Sequence, residues 1–140
     1  ELLKTSGGKY VAPAPIENRF KEEVAVEQIM VVGEQKKFVS ALILPNEEVL
    51  QHWCERNGIE WTGFEKAIKN QKVIKHFQAI VDKVNPEFSH IEQIKKFTLV
   101  HKEWLPIHED GSEAELTPTM KLKRRVIRKK YEQEIEEMYT

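Results

Sequence analysis

The stretch QIMVVGEQKKFVSALIL, residues 28–44, decides the fold class of this 140-residue chain. Gln28 to Val32 ends in four successive apolar residues, and Phe38 to Leu44 is rich in residues that favour strands. The polar run from Gly33 to Lys37 has the composition of a turn. Continuous apolar runs of this length are typical of strands that are buried on both faces. The stretch therefore predicts two adjacent buried strands, the second of which Pro45 ends.

Helical patterns surround these strands. Asn46 is a good N-cap for a helix, and from Gln71 to Val84 apolar residues recur at i, i+3, i+4 and i+7 without a gap. A shorter helix is predicted from Pro13 to Glu22. Thr62 and Glu65 have the spacing of a capping box for another short helix.

The remaining elements complete an α+β fold class. Glu1 to Lys4 predicts a short strand, Thr5 to Lys9 a hairpin turn, Ile94 to Val100 a strand and Leu122 to Met138 a helix. We expect a small mixed β-sheet of about three strands plus a short N-terminal hairpin, covered by helices in a two-layer α/β sandwich. The length suits one domain over residues 1–140, or one domain and a small appendage.

Composition excludes several classes of protein. Charged residues make up 32% of the chain but the net charge is −1, so bulk charge favours neither a nucleic-acid nor a membrane partner. No apolar run approaches the roughly 20 residues of a membrane span. The one cysteine, Cys54, lies on an apolar helix face, which predicts a buried structural thiol in a reducing compartment. Because the chain starts without methionine at Glu1, we expect a piece of a longer protein.

Common catalytic and metal-binding patterns are missing from the sequence. The five histidines are scattered singly, so no zinc or other metal site is expected. There is no nucleophile elbow, and the carboxylates are expected in helix caps and on solvated faces. Two stretches remain as candidate sites, Ser6 to Tyr10 and the surroundings of Lys121.

The stretch LTPTMKLKRR, residues 116–125, places cations where a helix is predicted to begin. Since a helix N-terminus carries partial positive charge, Lys121 and Lys123 there indicate an anion site for a phosphate or carboxylate. A nucleic-acid-binding module that uses the basic helix 121–130 is an alternative, although the acids from Glu132 onward would repel a phosphate backbone. A protein-interaction domain without chemistry is a further alternative.

Two separated motifs together resemble one family. Leu2 to Glu17, with its Thr-Ser-Gly-Gly-Lys run, is similar to the segment after the interdomain hinge of AMP-forming acyl-CoA synthetases, which are adenylate-forming enzymes. Leu116 to Arg125 resembles the C-terminal lysine motif of that superfamily and is closest to its long-chain fatty-acid–CoA ligase branch. Val24 to Gly33 resembles the strand after the post-hinge helix, so the resemblance covers the whole chain.

The resemblance implies residue roles. Lys121 would be the adenylation lysine, which reaches the fatty carboxylate and the α-phosphate. Either Lys9 or Tyr10 would contact nucleotide phosphate. Three small residues would line the coenzyme A tunnel: Ser6, Gly7 and Gly8. Many superfamily members have Ser-Gly before the lysine, whereas this chain has Thr119-Met120, which makes the loop bulkier.

The resemblance also implies partners and cofactors. The chain would be the C-terminal lid domain of a ligase, with a large N-terminal domain that carries the ATP-, magnesium- and fatty-acid-binding motifs. ATP, Mg²⁺ and coenzyme A would serve the full-length enzyme, and the isolated domain is expected to bind none of them and to be inactive. No nucleic acid and no transmembrane segment are implied. The expected location is the cytoplasm, with peripheral contact of the full enzyme at the inner membrane surface left open.

Overall fold

The computed structural model describes all 140 residues, which divide into two compact units. The first unit comprises Glu1–His101 and the second Lys102–Thr140. The sequence allowed for one domain with a small appendage, and each unit is described below by itself.

The first unit contains a three-stranded mixed sheet and a two-stranded hairpin. In the sheet, β3 (Val26–Val32) pairs antiparallel with the central strand β4 (Ser40–Pro45), which pairs parallel with β5 (Lys96–Leu99). In the hairpin, β1 (Leu3–Lys4) pairs antiparallel with β2 (Tyr10–Val11). The predicted α+β class, the mixed sheet and the N-terminal hairpin are confirmed.

β3 and β4 are buried on both faces, as their continuous apolar runs predict. Ile29, Met30 and Val31 of β3 are each at most 1% exposed, and every residue of β4 is buried. One polar group is trapped among them. The Ser40 hydroxyl lies inside the sheet, fully buried and without a hydrogen-bond partner.

Four helices cover the sheet, and asparagine caps mark where two of them begin. The helices are α1 (Pro13–Phe20), α2 (Glu47–Arg56), α3 (Phe64–Ala67) and α4 (Gln71–Val84). Asn46 Oδ1 accepts the Val49 N–H at 3.0 Å, and Asn70 Oδ1 accepts the Lys72 N–H at 2.8 Å. The predicted capping box at α3 is wrong, because Gly63, with φ of 117°, holds the N-cap position and provides no side chain. α1 ends at Phe20, two residues earlier than predicted.

Two buried side chains of the first unit test the sequence-based expectations. Cys54 is fully buried and burial raises the pKa of its thiol, which confirms the structural role. Glu17 on α1 is also buried, and its Oε2 accepts the Val31 N–H at 2.8 Å. Because β3 is an edge strand, this N–H lacks a strand partner and the carboxylate replaces one. The prediction that carboxylates lie in caps and on solvated faces is therefore wrong for Glu17.

The second unit ends in two short helices, α5 (Arg124–Lys130) and α6 (Glu132–Glu137). The single helix predicted from 122 to 138 is wrong, because Tyr131 leaves helical dihedrals, with φ of −113° and ψ of 25°. Its hydroxyl accepts the Trp104 indole N–H at 3.3 Å, and the two rings lie 6.2 Å apart. Both residues are buried, so the break places an aromatic pair in the small core of this unit. No helix in either unit has the length and apolarity to cross a membrane.

Candidate functional site

The first candidate site is the glycine hairpin, residues 3–11. Its end is closed by Thr5 and Lys9, with the Thr5 N–H donating to the Lys9 carbonyl at 2.9 Å. The Gly8 N–H donates to the Thr5 carbonyl at 3.0 Å, and Gly8 has φ of 83°. A β-turn followed by a left-handed residue is a common three-residue hairpin loop. The prediction of a hairpin turn is confirmed, and Ser6 and Gly7 occupy its exposed tip.

The glycine hairpin is fixed to the turn between β3 and β4. The Ser6 N–H donates to the Lys36 carbonyl at 2.9 Å, and the Gln35 N–H donates to the Lys4 carbonyl at 2.8 Å. These bonds consume one backbone donor of the tip, but the tip remains open to solvent. A β-carbon built on Gly7 or on Gly8 would meet no atom within 4 Å.

The second candidate site is the lysine hairpin, residues 116–122, in the second unit. Leu116 and Leu122 form an antiparallel bridge at its base, and the Thr117 N–H donates to the Lys121 carbonyl at 2.8 Å. The Met120 N–H closes the turn on the Thr117 carbonyl at 2.8 Å. Pro118 takes the turn position where its fixed φ is favoured.

The two candidate sites share one construction. In each, a threonine and a lysine close a three-residue loop whose last residue has a left-handed backbone: Gly8 at 83° and Met120 at 69°. Each threonine hydroxyl adds a bond across the closing pair, at 3.1 Å to the Lys9 carbonyl and at 3.0 Å from the Lys121 N–H. The difference lies in the third loop position, since a left-handed backbone suits glycine and strains methionine.

Lys121 does not lie at a helix start. α5 begins at Arg124, so Lys121 closes the hairpin before the helix, and α5 is only seven residues long. The prediction of an anion site at a helix N-terminus is therefore wrong in its geometry. The lysine itself is well placed for an external anion, because its side chain is exposed and its ammonium group contacts no acceptor in the chain.

A buried carboxylate supports the lysine hairpin, and the sequence did not reveal it. Glu115 is 5% exposed, and its Oε1 accepts the Leu105 N–H at 3.0 Å and lies 2.7 Å from His108 Nε2. Its Oε2 accepts from Lys130 Nζ at 2.6 Å. The same ammonium group donates to the Glu113 carbonyl. Glu115 is thus the second carboxylate for which the predicted solvated role is wrong.

Opposing effects act on the pKa of Glu115. Burial has the largest effect and raises the pKa, but hydrogen bonds from Lys130, the Leu105 N–H and His108 together outweigh it, so the pKa lies below its ordinary value. The carboxylate is therefore ionised at neutral pH. The only sequence signal for it is the position of Glu115 directly before the apolar Leu116, which starts the hairpin.

The basic run is less available to a polyanion than its sequence indicates. α5 carries it for only two turns, and Lys130 at its end is bonded to Glu115. Arg125, Arg128 and Lys129 are exposed. The remaining exposed surface is short, which weakens the nucleic-acid interpretation.

An apolar groove of about 380 Å³ lies between α2 and α4, and its lining includes none of the predicted site residues. Trp53 and His76 stack there with ring centroids 4.2 Å apart, and burial lowers the pKa of His76. No group of three or more His, Cys, Asp or Glu side chains in the chain comes together as metal ligands.

Known proteins match almost the whole length of the chain. The long-chain-fatty-acid–CoA ligase FadD15 of Mycobacterium tuberculosis is 35% identical over 140 residues, which are 99% of this chain and 22% of the relative. Human long-chain-fatty-acid–CoA ligase 1 is 32% identical over 142 residues, 99% of this chain and 20% of the relative. The chain thus spans about a fifth of the length of these relatives.

Solved structures share the fold. The adenylation and carrier didomain of the carboxylic acid reductase from Segniliparus rugosus, solved with AMP, aligns with a TM-score of 0.73 at 21% identity, over 99% of this chain and 17% of that chain. A fatty acyl CoA synthetase of Mycobacterium tuberculosis aligns with a TM-score of 0.54 at 18% identity, over 94% and 20%. The family model of the AMP-binding enzyme C-terminal domain matches residues 1–140. The chain belongs to the family of AMP-binding enzyme C-terminal domains.

Proposed function

We propose that residues 1–140 form the C-terminal lid domain of a long-chain fatty-acid–CoA ligase, and that Lys121 serves its adenylation step. The observation that carries the proposal is the exposed, unpartnered ammonium group of Lys121 on a hydrogen-bonded hairpin, in a chain of this family. Relatives that bear the ligase name support the substrate class. The remaining part of such a ligase, a large N-terminal domain, is the proposed partner.

In adenylation, a carboxylate oxygen of the fatty acid attacks the α-phosphorus of ATP, and the bond to the pyrophosphate oxygen breaks. Acyl-AMP and pyrophosphate result. Two anions must approach each other, and negative charge redistributes over the phosphoryl oxygens. A positioned cation stabilises that charge, and Lys121 can provide it because no carboxylate within the chain neutralises it. The large domain would bind the two anions, and Lys121 would complete the active site from this domain.

In the second step, the thiol sulfur of coenzyme A attacks the acyl carbonyl carbon. The bond between that carbon and the phosphate oxygen breaks, and AMP leaves with the electron pair. Three residues of the glycine hairpin are proposed to line the path of the pantetheine arm: Ser6, Gly7 and Gly8. The open space at Gly7 and Gly8 is consistent with a path that needs room. For contact with nucleotide phosphate, Lys9 offers an unpartnered ammonium group, while the Tyr10 ring lies 5.7 Å from Lys4 Nζ.

Cofactors and location follow from the same proposal. ATP and coenzyme A are substrates of the complete ligase. Mg²⁺, when bound, would supply charge neutralisation for the nucleotide phosphates, and its ligands are proposed to lie in the large domain. We place the ligase in the cytoplasm, where the reduced Cys54 thiol is stable.

Separate assays of the two half-reactions test the role of Lys121. In the complete ligase, Lys121→Ala should slow acyl-adenylate formation by about 10²–10³-fold, the usual effect of removing one charge-stabilising group. Thioester formation from supplied acyl-adenylate should be retained. Lys129→Ala, which removes an exposed cation of α5, is the matched control and should change neither step. Equal loss of both half-reactions in Lys121→Ala, or no loss of adenylation, would refute the proposal.

A further inference from the structure

We propose that Glu115 is a positioning residue for Lys121: its buried carboxylate fixes the base of the lysine hairpin so that the ammonium group is presented in one place. This inference rests on the proposed function of Lys121. Glu115 itself lies six positions before the lysine, and none of its side-chain hydrogen bonds reaches the lysine side chain. Its effect must therefore pass through the hairpin.

The carboxylate joins three separate segments of the second unit. One oxygen holds the Leu105 N–H and the His108 ring, and the other holds Lys130 at the end of α5. Leu105 and His108 belong to one segment and Lys130 to another, so the carboxylate connects both segments to its own. At 5% exposure the carboxylate is shielded from water, and removing it would leave the half-buried Leu105 N–H and His108 ring without this acceptor.

Backbone hydrogen bonds at and next to Glu115 connect it to both strands of the lysine hairpin. The Glu115 carbonyl accepts the Lys123 N–H at 2.7 Å, just beyond the second strand. On the first strand, the Leu116 N–H donates to the Leu105 carbonyl at 3.3 Å. The bridge between Leu116 and Leu122 then follows directly. Movement of the Glu115 side chain therefore moves both strands that carry the loop of Lys121.

The charge of Glu115, and not only its size, performs this function. All three side-chain contacts are with donors, and a carboxylate has acceptors at both oxygens. Glutamine has the same shape but would turn an NH₂ group toward either Lys130 or the Leu105 and His108 donors. The hydrogen bonds at one of the two side-chain ends are then lost, while the packing of the side chain is kept. Displacement of a catalytic group by about 1 Å can cost about 10²-fold in rate.

The experiment compares four variants of the complete ligase in both half-reactions: Glu115→Gln, Lys121→Ala, the double variant and Glu109→Gln. Glu109 is an exposed glutamate without a partner in the loop before Glu115, so Glu109→Gln is a matched control. Glu115→Gln should slow adenylation about 10- to 100-fold and leave thioester formation from supplied acyl-adenylate unchanged. The double variant should be no slower in adenylation than Lys121→Ala alone, because residues that act through one group are not additive.

The outcomes separate the two proposals. If Lys121→Ala leaves adenylation intact, the proposed function fails whatever Glu115 does. If Lys121→Ala abolishes adenylation but Glu115→Gln lowers both half-reactions equally, Glu115 is only structural and the inference is overturned. An added loss in the double variant would overturn it as well. Should Glu115→Gln not fold, Lys130→Gln breaks the same contact from the exposed side, and it should slow adenylation selectively; a folded Lys130→Gln variant with full adenylation would contradict the inference.

Discussion

The two glycines of the loop tip should respond in opposite ways to alanine. Gly7 lies outside the left-handed region and Gly8 has φ of 83°, although an added β-carbon meets no atom at either position. The backbone therefore requires glycine at Gly8 only. If Gly7 is needed, the need must come from something that passes the hairpin during catalysis, which we propose to be coenzyme A.

Magnitudes follow from these two backbones. Gly7→Ala should stabilise the chain by about 0.4–1 kcal/mol, because alanine lowers the entropy of the unfolded chain at no cost in the folded state. Gly8→Ala lowers the entropy of the unfolded chain in the same way, but the left-handed backbone costs alanine about 1–2 kcal/mol. The folded state should therefore lose about 0.5–1 kcal/mol of stability in total. The melting temperature should rise by a few °C for Gly7→Ala and fall by a few °C for Gly8→Ala.

The functional half of this prediction uses a larger side chain. Gly7→Leu keeps the open, unstrained position but fills the proposed path of the pantetheine arm. Overpacking of a closed site costs about 1–3 kcal/mol, which corresponds to about 5- to 150-fold in the thioester step. Adenylation in the same variant should be unchanged. The assays are thermal unfolding by circular dichroism and the two separate half-reactions of the complete ligase.

Two results would refute this reasoning. A Gly7→Ala variant that is at least 1 kcal/mol less stable would show that the fold itself requires this glycine. A stable Gly7→Leu variant that forms thioester at the unaltered rate would show that nothing passes close to the tip. Loss of both half-reactions together would place the defect in domain movement rather than in the path of coenzyme A.

Three further predictions concern single side chains. The pKa of Glu115 is lowered in the folded state, so its ionised carboxylate stabilises the fold above pH 4.5, the ordinary pKa, and this stability is lost as pH falls through the lowered pKa. The stability of Glu115→Gln should therefore depend less on pH during acid unfolding. An unaltered pH profile would contradict this prediction. Ser40→Ala removes a buried hydroxyl without a partner, so urea unfolding should show a gain of about 1 kcal/mol, whereas a loss would indicate a missed partner. Met120 has a left-handed backbone and is 55% exposed, so Met120→Gly should stabilise the chain by about 0.5–1 kcal/mol after the entropy cost of glycine. A loss above about 1 kcal/mol would argue against strain at this position.

Local sequence patterns predicted the fold because each main strand or helix has an uninterrupted apolar pattern of its own. The apolar runs of β3 and β4 and the unbroken periodicity of α4 are strong signals, and their burial matches the prediction. The break at Tyr131 escaped prediction, because it depends on Trp104, 27 residues earlier in the chain. The periodicity of apolar residues within a helix carries no information about a contact so distant in sequence.

The turn at the candidate site was predictable from the sequence, but the contacts that support it were not. The Thr-Pro-Thr sequence marks a turn, and the resemblance singled out Lys121 as a candidate, yet a helix start was expected where a hairpin closes. Glu115 was missed for a physical reason: its donors come from Leu105, His108 and Lys130, and nothing local distinguishes a buried glutamate from a solvated one. The break at Tyr131 and the burial of Glu115 were both missed because their contacts are with residues distant in sequence.

The parallel pairing of β4 with β5 has a kinetic consequence. β3 and β4 are joined by one short turn, whereas residues 46–95 separate β4 from β5. Closing a long loop costs entropy before any contact compensates for it, and non-local pairs slow folding. The edge of β4 that receives β5 therefore stays open until α2, α3 and α4 have been made and brought together. During synthesis on the ribosome, this apolar edge is the part of the first unit that is exposed for longest to aggregation.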